Sequence, residues 1–303
     1  MIRQNFNADW TVEKGDGNSR MNSFLGNTQT KTVHLPYDAM IHEARTPDTK
    51  NGAQTGFYPG GEYIFQKHFT APQAWQGKPV SLVFEGVYQT ALVYLNGWLL
   101  TRNVNGYAEF TVEAGPYLKY GADNLLKVIA DNSLEPNSRW YTGSGIYRPV
   151  RLLVGNKVYL PQDTVRITTR EVGEGFALLD VTAQVQSASA VTERVTLQQT
   201  ICREGTAVLT DRQNLLLQPG ESRTVSFRYC VDSPALWSPE NPNLYTSAMQ
   251  VLEGEEELDR EETSFGIRTL SIDAAHGVRI NGQTVKLRGA CIHHDNGILG
   301  AAT

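Results

Sequence analysis

In the stretch LLDVTAQVQ, the residues Leu179, Val181, Ala183 and Val185 alternate strictly with Asp180, Thr182, Gln184 and Gln186. Successive side chains of an extended strand point to opposite faces, so a period of two marks a half-buried strand and conflicts with the 3.6 period of a helix. The same period returns in RVTLQQTI through Val195, Leu197 and Ile201, and in TVSFRYCV through Val225, Phe227, Tyr229 and Val231. Cys230 then falls on the outward face, and Cys202, one residue past Ile201, falls in the same outward phase. Upstream, EYIFQKHF, VSLVFEGV, TALVYLNG and NLLKVIADN are β-rich runs separated by Gly, Pro, Asn and Asp turns. That short, regular spacing is the one expected of a sandwich or barrel. With no segment showing a 3.6 period, the expected fold is all-β.

A chain of 303 residues has room for about two domains. A turn and a proline in VGNKVYLPQD, residues 154–163, separate an aromatic-rich first half from a second half of clean alternation rich in Thr and Gln. The expected division is 1–156, then 157–268, whose length suits an immunoglobulin-like sandwich, then a short third region, 269–303. The acidic run LEGEEELDREE reads as a solvated hairpin with EGEE at its tip, because it lacks the spaced oxygen ligands and the glycine of a calcium loop. In the third region, VRINGQTVKLRG is a hairpin signal around Asn281-Gly282, since Asn and Gly tolerate the positive φ of a tight turn. The chain then runs through ACIHHDNGILGAAT, which reads as the first strand of a domain whose remaining strands are absent.

Charge and composition narrow the partners. The net charge is −5 with both signs spread along the chain, so there is no basic stripe for nucleic acid and no polybasic segment for an anionic membrane. No run approaches the 18 or so apolar residues of a membrane helix, and MIRQNFNADW lacks the apolar core of a secretory signal. A cytoplasmic location is expected, or a periplasmic or secreted one if a leader has been removed. Cys202, Cys230 and Cys291 are too scattered for a disulfide framework or a CxxC metal site and are read as free thiols.

Several stretches together are similar to one family. They are NFNADWTVEKGDG, LPYDAMIHEAR, FEGVYQTALVYLNG, NSRWYTGSGIYRPV, LWSPENPNLYTSAMQVLEG, TSFGIRTLSID and INGQTVKLRGACIHHDNG. Their order resembles that of glycoside hydrolase family 2, the β-galactosidase, β-glucuronidase and β-mannosidase group. The resemblance implies a jelly-roll sugar-binding domain, an immunoglobulin-like sandwich, and a TIM barrel whose first strand begins near Lys286. It also implies a retaining glycosidase, most simply a β-galactosidase acting on a β-linked galactoside, with β-glucuronidase and β-mannosidase as alternatives. Retaining chemistry uses an acid and a nucleophilic carboxylate about 5 Å apart. In the resembled family both are glutamates on later barrel strands, so no catalytic residue is expected in this chain. Glu85, Glu109 and the cluster around Glu255 offer no replacement. No cofactor is expected, and a homo-oligomer through the β-domains stays open. A free-standing carbohydrate-binding pair of sandwiches is the competing reading.

The resemblance also places candidate substrate contacts. In that family the loop before GIYR leaves the jelly roll and borders the pocket for the non-reducing sugar. Arg139, Trp140 and Tyr141 are the residues concerned, because a sugar's C–H face packs on an aromatic ring and Arg donates a fork of hydrogen bonds. The alternative is that these aromatics plug an interface between domains. His293, His294 and Asp295 end the expected first barrel strand, where the C-terminal ends of barrel strands carry active sites. A metal is not expected there, because neighbouring strand residues point to opposite faces and His293 and His294 cannot both ligate one ion without strain. The resemblance supports at least one of the histidines as a substrate contact, while Asp295 serves either there or as a cap of the following loop.

Overall fold

The alternating runs form strands whose inward set is buried: Leu179, Val181, Ala183 and Val185 are 0–1% exposed, as are their counterparts Leu197 and Ile201 on a second strand. The computed structural model describes residues 1–15, 30–134, 137–138, 140–293 and 296–302. Two compact units result, and the chain passes between them at 1/2, 154/155 and 290/291. One comprises the described residues of 2–154 and 291–302, the other Met1 with 155–290.

The first unit contains β1 (Ile2–Asn5), β2 (Trp10–Lys14), β3 (Lys31–Val33), β4 (Gly61–Thr70) and β5 (Val80–Phe84). It continues with β6 (Thr90–Leu95), β7 (Trp98–Asn103), β8 (Phe110–Glu113), β9 (Asp123–Asn132) and β10 (Val150–Val154). A four-stranded sheet runs β1-β10-β5-β8 and a six-stranded sheet runs β3-β2-β4-β9-β6-β7. The pairings within both are antiparallel. Leu82, Phe84 and Leu152 from the first sheet share one core with Trp10, Phe65 and Leu126 from the second, which makes a jelly-roll sandwich. At about 25 cal/mol per Å² of apolar surface buried, side chains of this size carry most of the unit's stability.

The second unit contains β11 (Val158–Tyr159), β12 (Arg166–Gly173), β13 (Phe176–Ser187), β14 (Glu193–Arg203), β15 (Thr206–Leu217) and β16 (Ser222–Asp232). After these come β17 (Tyr245–Glu253), β18 (Glu256–Phe265), β19 (Leu270–Asp273), β20 (Gly277–Ile280) and β21 (Gln283–Thr284). The strand β13 pairs along one edge with β16 and along the other with β12 and β11. The opposing sheet runs β15-β14-β17-β18, and the inward residues of both form the core of an immunoglobulin-like sandwich. As the alternation requires, Cys230 is exposed and Cys202 half-buried, and all three cysteines are free. Gly254 and Glu255 form the turn between β17 and β18, so the acidic run is a hairpin tip. The hairpin at Asn281-Gly282 joins β20 to β21, with φ of 50° and 76° at the two turn residues.

Beyond β21 no further strand forms among the described residues. Residues 285–293 lie in no strand and are almost all exposed. A barrel strand is held by backbone bonds from a neighbour on each side, and no such neighbour is present among the described residues. Of the residues after 268, 269–290 group with the second unit and the described part of 291–302 with the first.

Candidate functional site

The loop between β9 and β10 is held from its base upward. Asn132, the last residue of β9, is 1% exposed and donates through Nδ2 to Ser144 Oγ at 2.6 Å and to the Gly143 carbonyl at 3.1 Å. Its own Oδ1 accepts from Asn137 Nδ2 at 2.7 Å, and Asn137 Oδ1 accepts from the Tyr88 hydroxyl at 3.1 Å. A buried amide in a fully bonded network fixes the backbone around it, because any change of geometry strands a donor or acceptor away from water.

Asp38 completes the frame. It is 1% exposed and accepts four hydrogen bonds. Oδ1 takes the backbone N–H groups of Met40 and Ser144, each at 3.0 Å. Oδ2 takes the Tyr141 hydroxyl at 2.6 Å and the backbone N–H of Ala301 at 2.9 Å. Both glycines beside this carboxylate are required as glycine: Gly143 has φ of 68° and a Cβ there would sit 2.5 Å from Oδ2, while a Cβ on Gly300, at φ of 60°, would overlap the same oxygen. Burial, and then the Asp38 charge and hydrogen bond, push the Tyr141 hydroxyl far above its ordinary pKa, so Tyr141 remains a donor.

This frame presents an open cleft of about 410 Å³, whose lining includes Tyr107, Trp140, Tyr141, Arg148, His293 and Ala301. Trp140 is 41% exposed, and its ring centroid lies 4.9 Å from that of His293 at an interplanar angle of 48°. Tyr147 donates to the Gly106 carbonyl at 2.8 Å, and Arg148 Nη1 donates to the Tyr107 carbonyl at 3.1 Å. Burial raises the pKa of both Tyr88 and Tyr147, so these phenols stay protonated donors too. The cleft therefore offers an aromatic wall, a cation and an imidazole, the chemistry that receives a polyhydroxylated ring.

Of the residues singled out from sequence, Trp140 and His293 are brought into contact although they lie far apart in the chain. Arg139, His294 and Asp295 lie outside the described residues. Asp38, Tyr88, Tyr107, Asn132 and Arg148 received no site role from the sequence. A signal for Asp38 was available, since it is the lone acid of LPYDAM, a run of otherwise mainly apolar residues. Glu85 and Glu109 do not face one another across the cleft as an acid and nucleophile: both pair with Arg151, at 3.0 and 2.8 Å. Among the described residues no cluster of three His, Cys, Asp or Glu could hold a metal ion.

Residues 10–167 match the sequence model of the "Glycosyl hydrolase 2 galactose-binding domain-like" family, and residues 158–268 that of "Glycosyl hydrolases family 2". The chain belongs to glycosyl hydrolase family 2. Among its family 2 relatives is β-galactosidase BoGH2A of Bacteroides ovatus, 35% identical over 99% of this chain and 35% of that protein. Another is a putative β-glucuronidase of Formosa agariphila, 31% identical over 99% of this chain and 28% of that protein. The crystal structure of a family 2 member from Bacteroides cellulosilyticus superposes with a TM-score of 0.91 at 32% identity, covering all of this chain and 40% of that one. A Bacteroides uniformis β-glucuronidase superposes with a TM-score of 0.87 at 27% identity, over 36% of its own chain. The chain thus spans about a third of the length of the curated relatives it matches.

Proposed function

We propose that this chain is the non-catalytic N-terminal part of a retaining family 2 β-galactosidase, and that its cleft forms one wall of the pocket for the terminal sugar. The observation that carries this reading is the Trp140–His293 pair, set in an aromatic cleft on a frame of fully bonded polar groups. In this reading residues 285–302 lead towards a TIM barrel that supplies both catalytic carboxylates, and Arg139, His294 and Asp295 join Trp140 and His293 as substrate contacts. A stacked ring and a few hydrogen bonds, without an opposing wall, give at most about 4 kcal/mol, a millimolar affinity. The 303-residue chain is therefore expected to bind galactose weakly and to hydrolyse nothing.

A β-glucuronidase is the second reading. It is favoured by the Formosa agariphila relative and by the Arg148 guanidinium at the cleft, a group suited to a sugar carboxylate. A panel of aryl β-glycosides offered to the full-length protein separates the two. Turnover of the galactoside supports the first reading, turnover of the glucuronide alone replaces it with the second, and turnover of neither rejects both.

A further inference from the structure

Asp38 has no opening to the cleft, yet two of its four donors, Tyr141 and Ala301, line it. These two donors belong to segments far apart in sequence. One is the loop that carries Trp140, the other the turn 296–302 that follows the segment bearing His293. The backbone bonds of that turn close largely on themselves: Asn296 N–H to the Gly300 carbonyl at 2.9 Å, Leu299 N–H to Asn296 at 3.1 Å, and Ala302 N–H to Leu299 at 3.2 Å. Its large apolar side chains are not buried either, since Ile298 is 86% and Leu299 57% exposed. It meets the sandwich at its end, where Gly300 is buried beside Asp38 and Ile41 and Ala301 sets its methyl group beside Tyr88 and Tyr147 and its N–H on Asp38.

We infer that Asp38 is a positioning residue: its carboxylate couples the two walls of the cleft, holding the His293 segment against the Trp140 loop. Four donors saturate the roughly four acceptor sites of a carboxylate. The charge can therefore be traded for neither an amide, which brings N–H groups against those donors, nor a longer acid without displacing a wall. The consequence for turnover rests on the reading of the cleft as a sugar pocket; the coupling itself does not.

Iodide quenching of tryptophan fluorescence tests the coupling in the 303-residue chain. The contribution of Trp140 is isolated by subtracting the signal of Trp140→Phe. In the parent, His293 shields one side of the indole, and His293→Ala sets the unshielded value. Asp38→Asn is expected to move the Trp140 quenching constant to that unshielded value at temperatures well below its melting transition. Gly300→Ala, which crowds Oδ2 and leaves the carboxylate in place, is expected to do the same and decides the matter if Asp38→Asn fails to fold. Parent-like quenching in either folded variant, or no difference between the parent and His293→Ala, would overturn the inference. In the full-length protein, with whichever glycoside it turns over, Asp38→Asn is expected to raise KM about tenfold with kcat changed less than about threefold. A fall in kcat at unchanged KM would contradict a positioning role. Failure of the protein to cleave any glycoside rejects the proposed function and leaves the quenching result to decide the coupling.

Discussion

At the scale of single residues, the site is held by polar groups that have no freedom to rearrange. Asn132 shows how much such a group carries. In Asn132→Ala the Gly143 carbonyl, Ser144 Oγ and Asn137 Nδ2 each lose a buried partner. Leaving a buried group unsatisfied costs about 1–3 kcal/mol. The variant is therefore expected to shift the denaturant midpoint by roughly 2 kcal/mol of stability at an unchanged m-value. Glu193 gives a pH signature in the second unit. The hydrogen bond from Ser189, followed by that of Lys157, holds its folded pKa below the ordinary value. A depressed carboxylate binds fewer protons folded than unfolded, so its contribution is complete above the unfolded pKa of about 4.3 and is lost as pH falls through the folded one. Glu193→Gln should remove this part of the acid limb, and melting temperatures measured from pH 6 down to about 3 would converge for the two proteins at the acid end. A constant gap across that range would show that Glu193 keeps its ordinary pKa. Cys230 was legible from sequence at this scale because its environment follows from phase alone. The role of Asp38 was not, because its partners Ser144 and Ala301 stand 106 and 263 positions away.

At the scale of elements, periodicity gave the strands and tight-turn chemistry gave the hairpins. The strand β13 is paired on both edges and buries every second side chain against the opposing sheet. Leu179→Ala in β13 removes a side chain that is 0% exposed. It is expected to cost about 2–5 kcal/mol through lost transfer energy and the remaining cavity. Leu216→Ala on the outward phase of β15, where the side chain is 51% exposed, should stay within about 0.5 kcal/mol of the parent. Equal effects of the two changes in urea unfolding would mean that the phase of the sheets is misassigned. The stretch after Lys286, expected as a first barrel strand, forms no strand among the described residues. A β-like composition expresses a capacity to pair, and pairing depends on neighbours that no local pattern reveals.

At the scale of the whole molecule, the segment 285–293 is where the chain leaves one unit for the other, and it is the exposed, unpaired part of that passage. Local opening there disrupts no sheet, so trypsin acting on the 303-residue chain should cut first after Lys286 or Arg288. Early fragments ending within β13 or β14 instead would contradict the division into units. The two sandwiches were legible in the sequence because each is built from alternation that repeats along continuous strands. The cleft was legible only in part: the aromatic loop announced itself, but its closure against His293 joins a loop in the middle of the chain to a segment near residue 300. The central claim, that this cleft is a wall of the sugar pocket, is tested most directly by Trp140→Ala in the full-length protein with the aryl glycoside it turns over. Losing a stacking surface of about 1–2 kcal/mol should raise KM roughly tenfold and leave the melting temperature near that of the parent. An unchanged KM and kcat in a folded Trp140→Ala protein would contradict it.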